Sequence, residues 1–359
     1  MEKHLDIVSL INSDFYKKNQ RLDWHISHSK YNKLACDLLN LFKNLNLDKN
    51  EDEIFQIVKS DIFIGLSQYL SHVYDFVLLS KNNIKIIYSD FSNIYVRPIW
   101  LKKGIDKIWL LDLEKKRDNK SLIGNLYFKF TKHIPKSLFK FVVISQNNLS
   151  SEFKKNIQYK YLQIRPEYFF PMKFKKNKFS KKLSRKISKE IFLMIDKNYF
   201  HLNLDHKKSI NTIIETYLSR VINDIQVYDG FFKKTKNIIT GTGHNYYVKL
   251  ISYLGKKSGS KIWRFNHGGE RCFFDDDFFW ESELLYTDIY VTYGLRWGDY
   301  LRKKVKKYKR NIEIKTIGSE YHRKIFDAYF NKKINNPKKI LYVPNSFVLE
   351  GRQFPNSKI

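Results

Sequence analysis

Between residues 237 and 319 the chain repeats one local pattern. A short run of apolar and β-branched residues ends in Gly, His or Ser, and a segment long enough for a helix follows. The runs are Asn-Ile-Ile-Thr-Gly-Thr-Gly-His-Asn (237–245), Lys-Ile-Trp-Arg-Phe-Asn-His-Gly-Gly-Glu-Arg (261–271), Asp-Ile-Tyr-Val-Thr-Tyr-Gly (288–294) and Ile-Glu-Ile-Lys-Thr-Ile-Gly-Ser (312–319). Strands alternating with helices require crossover connections, and crossovers build a parallel sheet. Ligands of such sheets bind outside the carboxyl ends of the strands, where these polar endings would gather.

The 359 residues suffice for two domains with ordinary cores. A hydrophobic share of 43% and an aromatic share of 16% exclude a disordered chain. The formal net charge of +30 has two readings. It points to an anionic partner, either nucleic acid or an anionic membrane surface, or it reflects a bias toward Lys, Asn and Ile over Ala along the whole chain. Cys36 and Cys272 stand far apart, so neither a metal spacing nor a disulfide framework is expected, which fits a reducing compartment. No stretch approaches the roughly 18 apolar residues of a membrane span. The start, Met-Glu-Lys-His-Leu-Asp, lacks the apolar core of a signal peptide. The expectation is a cytoplasmic protein, soluble or peripheral on the inner face of the membrane.

The first half reads as helices followed by strands. Leu34, Leu38, Leu39, Leu41, Phe42 and Leu45 predict a helix over 33–47, broken by the charged cluster 48–52. Residues 54–79 continue apolar. Strands are expected at 84–90, 107–113 and 141–145, with no readable pairing order. Residues 173–189 form the densest basic block, with Phe174, Phe179, Leu183 and Ile187 at spacings of four or five. A basic amphipathic segment of this kind can lie on an anionic bilayer, or it can be a solvated helix face. Residues 205–225 give the clearest helix, with Asp205 as N-cap and an Ile, Leu and Val stripe for the core.

The candidate chemistry sits at the strand ends. Gly241 and Gly243 let the backbone turn tightly and could leave amides free to meet an anion, with His244 beside them. The full three-glycine dinucleotide fingerprint and the Walker A lysine are both absent. Asn266, His267, Gly268, Gly269, Glu270 and Arg271 follow the next strand. The His267 imidazole can exchange a proton near neutral pH, Glu270 can act as a base or orient it, and Arg271 can hold a phosphate or carboxylate. A tight turn with a satisfied histidine is the plainer alternative. Asp275, Asp276 and Asp277 invite a metal reading, but adjacent residues seldom face one point, and no metal is expected. Glu281 and Glu283 could line the same cleft. Tyr293-Gly294 and Ser319 close the last two runs. Residues 339–347 look like a further strand after a polar linker.

The succession of strand-Asn-His-Gly-Gly-Glu, Asp-x-Tyr-x-x-Tyr-Gly, a strand ending Ile-Gly-Ser, and Ile-Leu-Tyr-Val-Pro resembles bacterial surface and capsular polysaccharide transferases of the two-Rossmann-domain (GT-B) type. More distantly it is similar to teichoic-acid glycerophosphate polymerases and capsular Kdo transferases. The resemblance covers about 235–350. It implies an α/β, GT-B-like fold. Residues 1–335 would be an acceptor-side Rossmann-like domain with a helical amino-terminal region. Residues 336–359 would be a linker and the first strand of a nucleotide-binding domain only begun, so that the chain looks truncated. It also implies transfer of a sugar from a nucleotide-sugar donor to a glycan or lipid-linked glycan acceptor, with no separate cofactor. By the same resemblance the His-Gly loop that faces the interdomain cleft maps onto His267, Gly268 and Gly269, and the catalytic candidates are His267 and, read from the residues beside it, Glu270. The substrate-binding candidates are Gly241, Gly243, His244, Asn266, Gly268, Gly269, Arg271, Tyr293, Gly294 and Ser319. The competing classes are a basic binder of membrane or nucleic acid without catalysis, and an inactive transferase remnant. Nucleic acid is not the expected partner, because purely electrostatic binding needs no Gly-His loop.

Overall fold

The computed structural model describes residues 3–6, 28–81, 84–87, 131, 133–144, 147–156, 158–164, 177–241, 243, 246–266, 277–318, 323–324 and 326–328. Its elements in chain order are β1 (Lys3–Asp6), α1 (His28–Lys43), α2 (Lys49–Lys81), β2 (Ile84–Ile87), a 3₁₀ turn (Lys136–Leu138), β3 (Phe141–Val143), α3 (Asn148–Asn156) and β4 (Tyr161–Gln163). They continue with α4 (Lys178–Asn198), α5 (Leu204–Tyr228), β5 (Asn237–Thr240), α6 (Tyr246–Lys257), β6 (Lys261–Phe265), α7 (Asp277–Glu283), β7 (Ile289–Tyr293), α8 (Leu295–Lys307) and β8 (Glu313–Ile317). The chain divides into two compact units that alternate along the sequence. One holds β1, α1, α2, β2, α4 and α5 as far as Ile222, and the other holds the remaining elements.

The first unit is helical, with β1 and β2 paired in parallel. In α1, Tyr31, Leu34, Ala35, Leu38, Leu39 and Phe42 recur at helical spacing and are all buried. The charged cluster at 48–52, expected only as a break, starts α2. The Glu51 amide donates to Asp48 Oδ1 at 2.8 Å and the Asp48 amide to Glu51 Oε2 at 3.1 Å, a reciprocal capping box. Asn177 and Ser180 cap α4 in the same way. The buried face of α4 mixes serines with branched aliphatics: Ser180, Leu183, Ser184, Ile187, Ser188, Ile191 and Ile195. Small hydroxyls permit close helix approach and satisfy one another. Ser219 Oγ of α5 donates to Ser180 Oγ at 2.8 Å, and Ser188 Oγ donates to Asn211 Oδ1 at 3.2 Å. Of the two readings of this basic block, the apolar spacing belongs to a helix whose apolar side faces the protein. Leu183 and Ile187, which an inserting amphipathic helix would submerge in lipid, are core residues here. Phe174 lies outside the described residues.

The second unit is an α/β layer structure around six parallel strands in the order β4-β3-β5-β6-β7-β8. The chain leaves β3 outward to β4, returns to the other side of β3 at β5, and then winds outward to β8. A right-handed crossover on opposite sides of a starting strand places its helices on opposite faces. Accordingly α3 packs through Leu149 and Phe153 on the face formed by Phe141, Val143, Ile239, Phe265 and Val291. The other face carries α8, where Leu301 and Val305 meet Trp280, Leu284 and Tyr290. It also carries α6, whose Gly255 sits so close to β5 that a Cβ there would lie 2.4 Å from Ile238 Cδ1. This is a Rossmann-like arrangement, and the reversal between β3 and β5 is its topological switch point.

The strands expected at 237–240, 261–265, 288–294 and 312–317 are present as β5 to β8, to within a residue or two. Those expected at 107–113 and 339–347, and the domain boundary near 335, lie outside the described residues. Strands β1 and β4 and helix α3 were not anticipated. Among the described residues no helix is long and apolar enough to cross a membrane.

Candidate functional site

The switch point is where a parallel sheet opens a crevice, because neighbouring connections leave it in opposite directions. One side chain organises it, Asn147, which follows β3. Its Nδ2 donates to the carbonyls of Phe265 at 2.8 Å, Asn266 at 3.1 Å and Gly241 at 3.4 Å. Its Oδ1 accepts the Ser150 amide at 2.9 Å, and Ser150 Oγ accepts the Asn147 amide at 2.8 Å. One residue therefore caps α3 and ties the ends of β5 and β6 to the first turn of that helix. Helix N-termini present unpaired amides and a positive dipole end, so the clamp sets a positive rim against two strand ends.

Tyr293, at the end of β7, reaches the same turn. Burial and the Glu152 carboxylate raise its phenol pKa, while a hydrogen bond from the Leu149 amide pulls the other way. Asn266 is buried and its Nδ2 is turned aside to Thr292 Oγ1 at 3.2 Å, leaving its carbonyl to Asn147. Gly241, Asn266 and Tyr293 are thus brought together around Asn147. Gly294 is not part of that group. It begins α8 with φ 64°, and its amide donates to the Ile317 carbonyl at 3.1 Å.

Gly243 belongs to a second, buried arrangement on the opposite face of the sheet. Its amide donates to Glu283 Oε2 at 2.6 Å, so that amide is already engaged. A Cβ at this position would lie 2.0 Å from Arg264 Nη1 and 2.7 Å from the Glu283 backbone, so packing is what demands glycine. Arg264 is fully buried. It donates through Nε to Thr240 Oγ1 at 3.3 Å, through Nη2 to Ser252 Oγ at 3.2 Å, and through Nη1 to the Glu283 carbonyl. Tyr290 OH donates to Glu283 Oε1 at 3.2 Å. Burial lowers the guanidinium pKa, and the Glu283 carboxylate opposes that shift. Glu283, expected to line the cleft, is instead an interior residue with no exposed surface.

The expected residues His244, His267, Gly268, Gly269, Glu270, Arg271 and Ser319 lie outside the described residues, as do Asp275 and Asp276. Asp277 begins α7. Among the described residues no group of three or more His, Cys, Asp or Glu is placed to hold a metal ion. Two participants went unread in the sequence. Asn147 sits in a polar run, Ser-Gln-Asn-Asn, that looked like a plain strand end, although Asn-x-x-Ser before a helix is a capping signal. Arg264 reads in the sequence only as a strand residue. Its signal was a cation at an interior alternation of Lys-Ile-Trp-Arg-Phe, a position that needs buried partners. Compared with known proteins, the chain matches no family model, no curated protein and no solved structure.

Proposed function

We propose that this chain is a glycosyltransferase of bacterial surface polysaccharide assembly, GT-B-like, working at the inner face of the cytoplasmic membrane. The observation that carries the reading is the Asn147 clamp at the switch point of a parallel sheet. It fixes the carbonyls from which two successive loops depart. In sequence, one of these loops carries His244 and the other carries His267-Gly268-Gly269-Glu270-Arg271. A rigid scaffold presenting variable loops at strand ends is the usual way such folds hold a small substrate. The transfer chemistry itself comes from the motif resemblance over 235–350.

In this reading an acceptor hydroxyl attacks the anomeric carbon of a nucleotide sugar. The new glycosidic bond forms as the bond to the nucleotide phosphate breaks. His267 takes the hydroxyl proton, with Glu270 as the alternative base, and Arg271 and His244 meet the departing phosphate. No cofactor beyond the donor is required.

A melting-temperature screen of the full-length protein against a panel of nucleotide sugars tests the first half. One donor should raise the melting temperature in a concentration-dependent way, as linkage requires of any ligand specific to the folded state. A flat response across the panel removes the reading. For the second half, His267→Ala should keep the donor-induced shift but abolish transfer to an acceptor glycan. Retained turnover would reassign the base.

A further inference from the structure

Among the described residues, a strip of the surface of helix α4 has no partner. Lys178, Lys181, Lys182, Arg185 and Lys189 are all exposed and fall at positions i, i+3, i+4, i+7 and i+11, which is one face of a helix. At 1.5 Å per residue the strip is about 16 Å long. Among the described residues no carboxylate pairs with any of these five cations. Lys186, at the edge of the strip, is paired at 2.6 Å with the buried Glu51, which orients the helix within its unit. The next exposed position along the strip is Leu193, 57% accessible.

We propose that this face docks electrostatically on an anionic lipid bilayer, with the helix lying flat and its apolar side kept in the protein core. Five unpaired cations on a straight surface match the negative potential of an anionic leaflet, which acts over about a Debye length. The buried Leu183, Ile187 and Ile191 cannot enter lipid without opening the bundle, so attachment is peripheral, with Leu193 as the single apolar contact. A strip built to follow single-stranded nucleic acid would carry exposed rings for stacking between its cations. No aromatic residue of α4 is exposed; Phe179 and Phe192 are both half-buried. The inference is independent of the transferase reading, because lipid attachment is measured without donor or acceptor.

The test is co-sedimentation of the full chain with vesicles of phosphatidylcholine alone and with vesicles in which about a third of the lipid is phosphatidylglycerol. Binding should require the anionic lipid and fall steeply as salt is raised. A variant carrying Lys181→Gln, Lys182→Gln, Arg185→Gln and Lys189→Gln should lose about two to three orders of magnitude in partition coefficient. A control with the same charge loss elsewhere, Lys261→Gln, Lys303→Gln, Lys306→Gln and Lys309→Gln, should lose far less. Lys181→Arg, Lys182→Arg and Lys189→Arg together should keep binding, which separates charge from folding. Equal losses in the strip and control variants would overturn the proposal, because the net charge alone would then explain attachment. So would equal binding to uncharged vesicles. A preference for single-stranded RNA over anionic vesicles that disappears in the strip variant would reassign the face to nucleic acid.

Discussion

The two units solve the same problem, polar groups inside a core, in different ways. The helical unit buries small hydroxyls: Ser219 donates to Ser180, Ser184 to its own helix and Ser188 to Asn211 of α5, and the charges of α4 stay outside. The sheet unit buries a guanidinium and a carboxylate, Arg264 and Glu283, held by Thr240, Ser252, Tyr290 and the amide of Gly243. A buried hydroxyl costs little once bonded. A buried ion costs several kcal/mol of desolvation even when paired, and breaking the pair costs more than forming it returns. Buried charge is therefore found where position matters more than stability. The Arg264 and Glu283 charges, both without exposed surface, lie beneath the loop that follows β5, within the unit that carries the candidate site, whereas the buried Glu51 of the helical unit keeps a half-exposed partner in Lys186. The bundle is built for tolerance, and the sheet end is built for placement.

The sharpest way to break this contrast is Glu283→Ala. It removes the carboxylate that accepts the Gly243 amide and the Tyr290 hydroxyl and that balances the buried Arg264 charge, and should cost about 3–5 kcal/mol in urea unfolding. Adding Arg264→Leu should recover more than half of the loss, and failure to recover would mean the two groups do not act as a pair. Next comes Gly243→Ala. Its Cβ would collide with Arg264 Nη1 and with backbone atoms that cannot yield, for a loss of about 3 kcal/mol. Asn147→Ala should cost about 2 kcal/mol by leaving strand-end carbonyls without a donor. It should also weaken any donor-induced shift in melting temperature, whereas a stability loss with unchanged ligand response would make Asn147 purely structural. Gly294→Ala meets no atom within 4 Å and strains only a φ of 64°, so about 1 kcal/mol is expected.

The smallest effect belongs to the helical unit. His206 lies 3.2 Å from the Tyr69 hydroxyl, and burial lowers its pKa from the ordinary 6.5, with Asp205 opposing. The neutral form is thus favoured in the folded state. Its contribution is complete above about pH 6.5 and is lost as pH falls through the lower folded value. With a half-exposed ring it amounts to less than about 1 kcal/mol. Melting curves between about pH 7 and pH 5 should show the wild type losing slightly more than His206→Gln. An equal slope in both would remove His206 from the account.

The strands of the second half were legible because each is a run of apolar residues bounded by turn formers, a signal that needs no knowledge of neighbours. Their order was not, since β3 chooses between β4 and β5 through contacts distant in sequence. Strand β4, three residues long and half-exposed, has no pattern to read. The basic block shows a different limit. Its amphipathic spacing was visible, but spacing cannot say whether the apolar side meets lipid or protein, and α4 turns that side inward. At the site, Gly241, Asn266 and Tyr293 were readable as strand ends, whereas Asn147 was hidden because a capping residue and a loop residue are written alike. Glu283 was placed in the cleft because it is charged. Its carboxylate is satisfied by the Gly243 amide, 40 positions earlier, and by the Tyr290 hydroxyl, contacts that only the folded sheet unit creates.

The reversal between β3 and β5 also sets a schedule. Asn237 Nδ2 donates to the Lys140 carbonyl, 97 positions earlier, and Val142 pairs with Ile238 across a gap one residue shorter. A ribosome adding about 5–20 residues per second needs roughly 5–20 seconds to cover that distance. From the synthesis of β4 until β5 emerges, β3 has β4 on one side and an open edge on the other. The nascent chain therefore passes through an adhesive stage fixed by its topology. Slow synthesis of residues 178–228 lengthens that exposure, while a chaperone that shields the β3 edge shortens it.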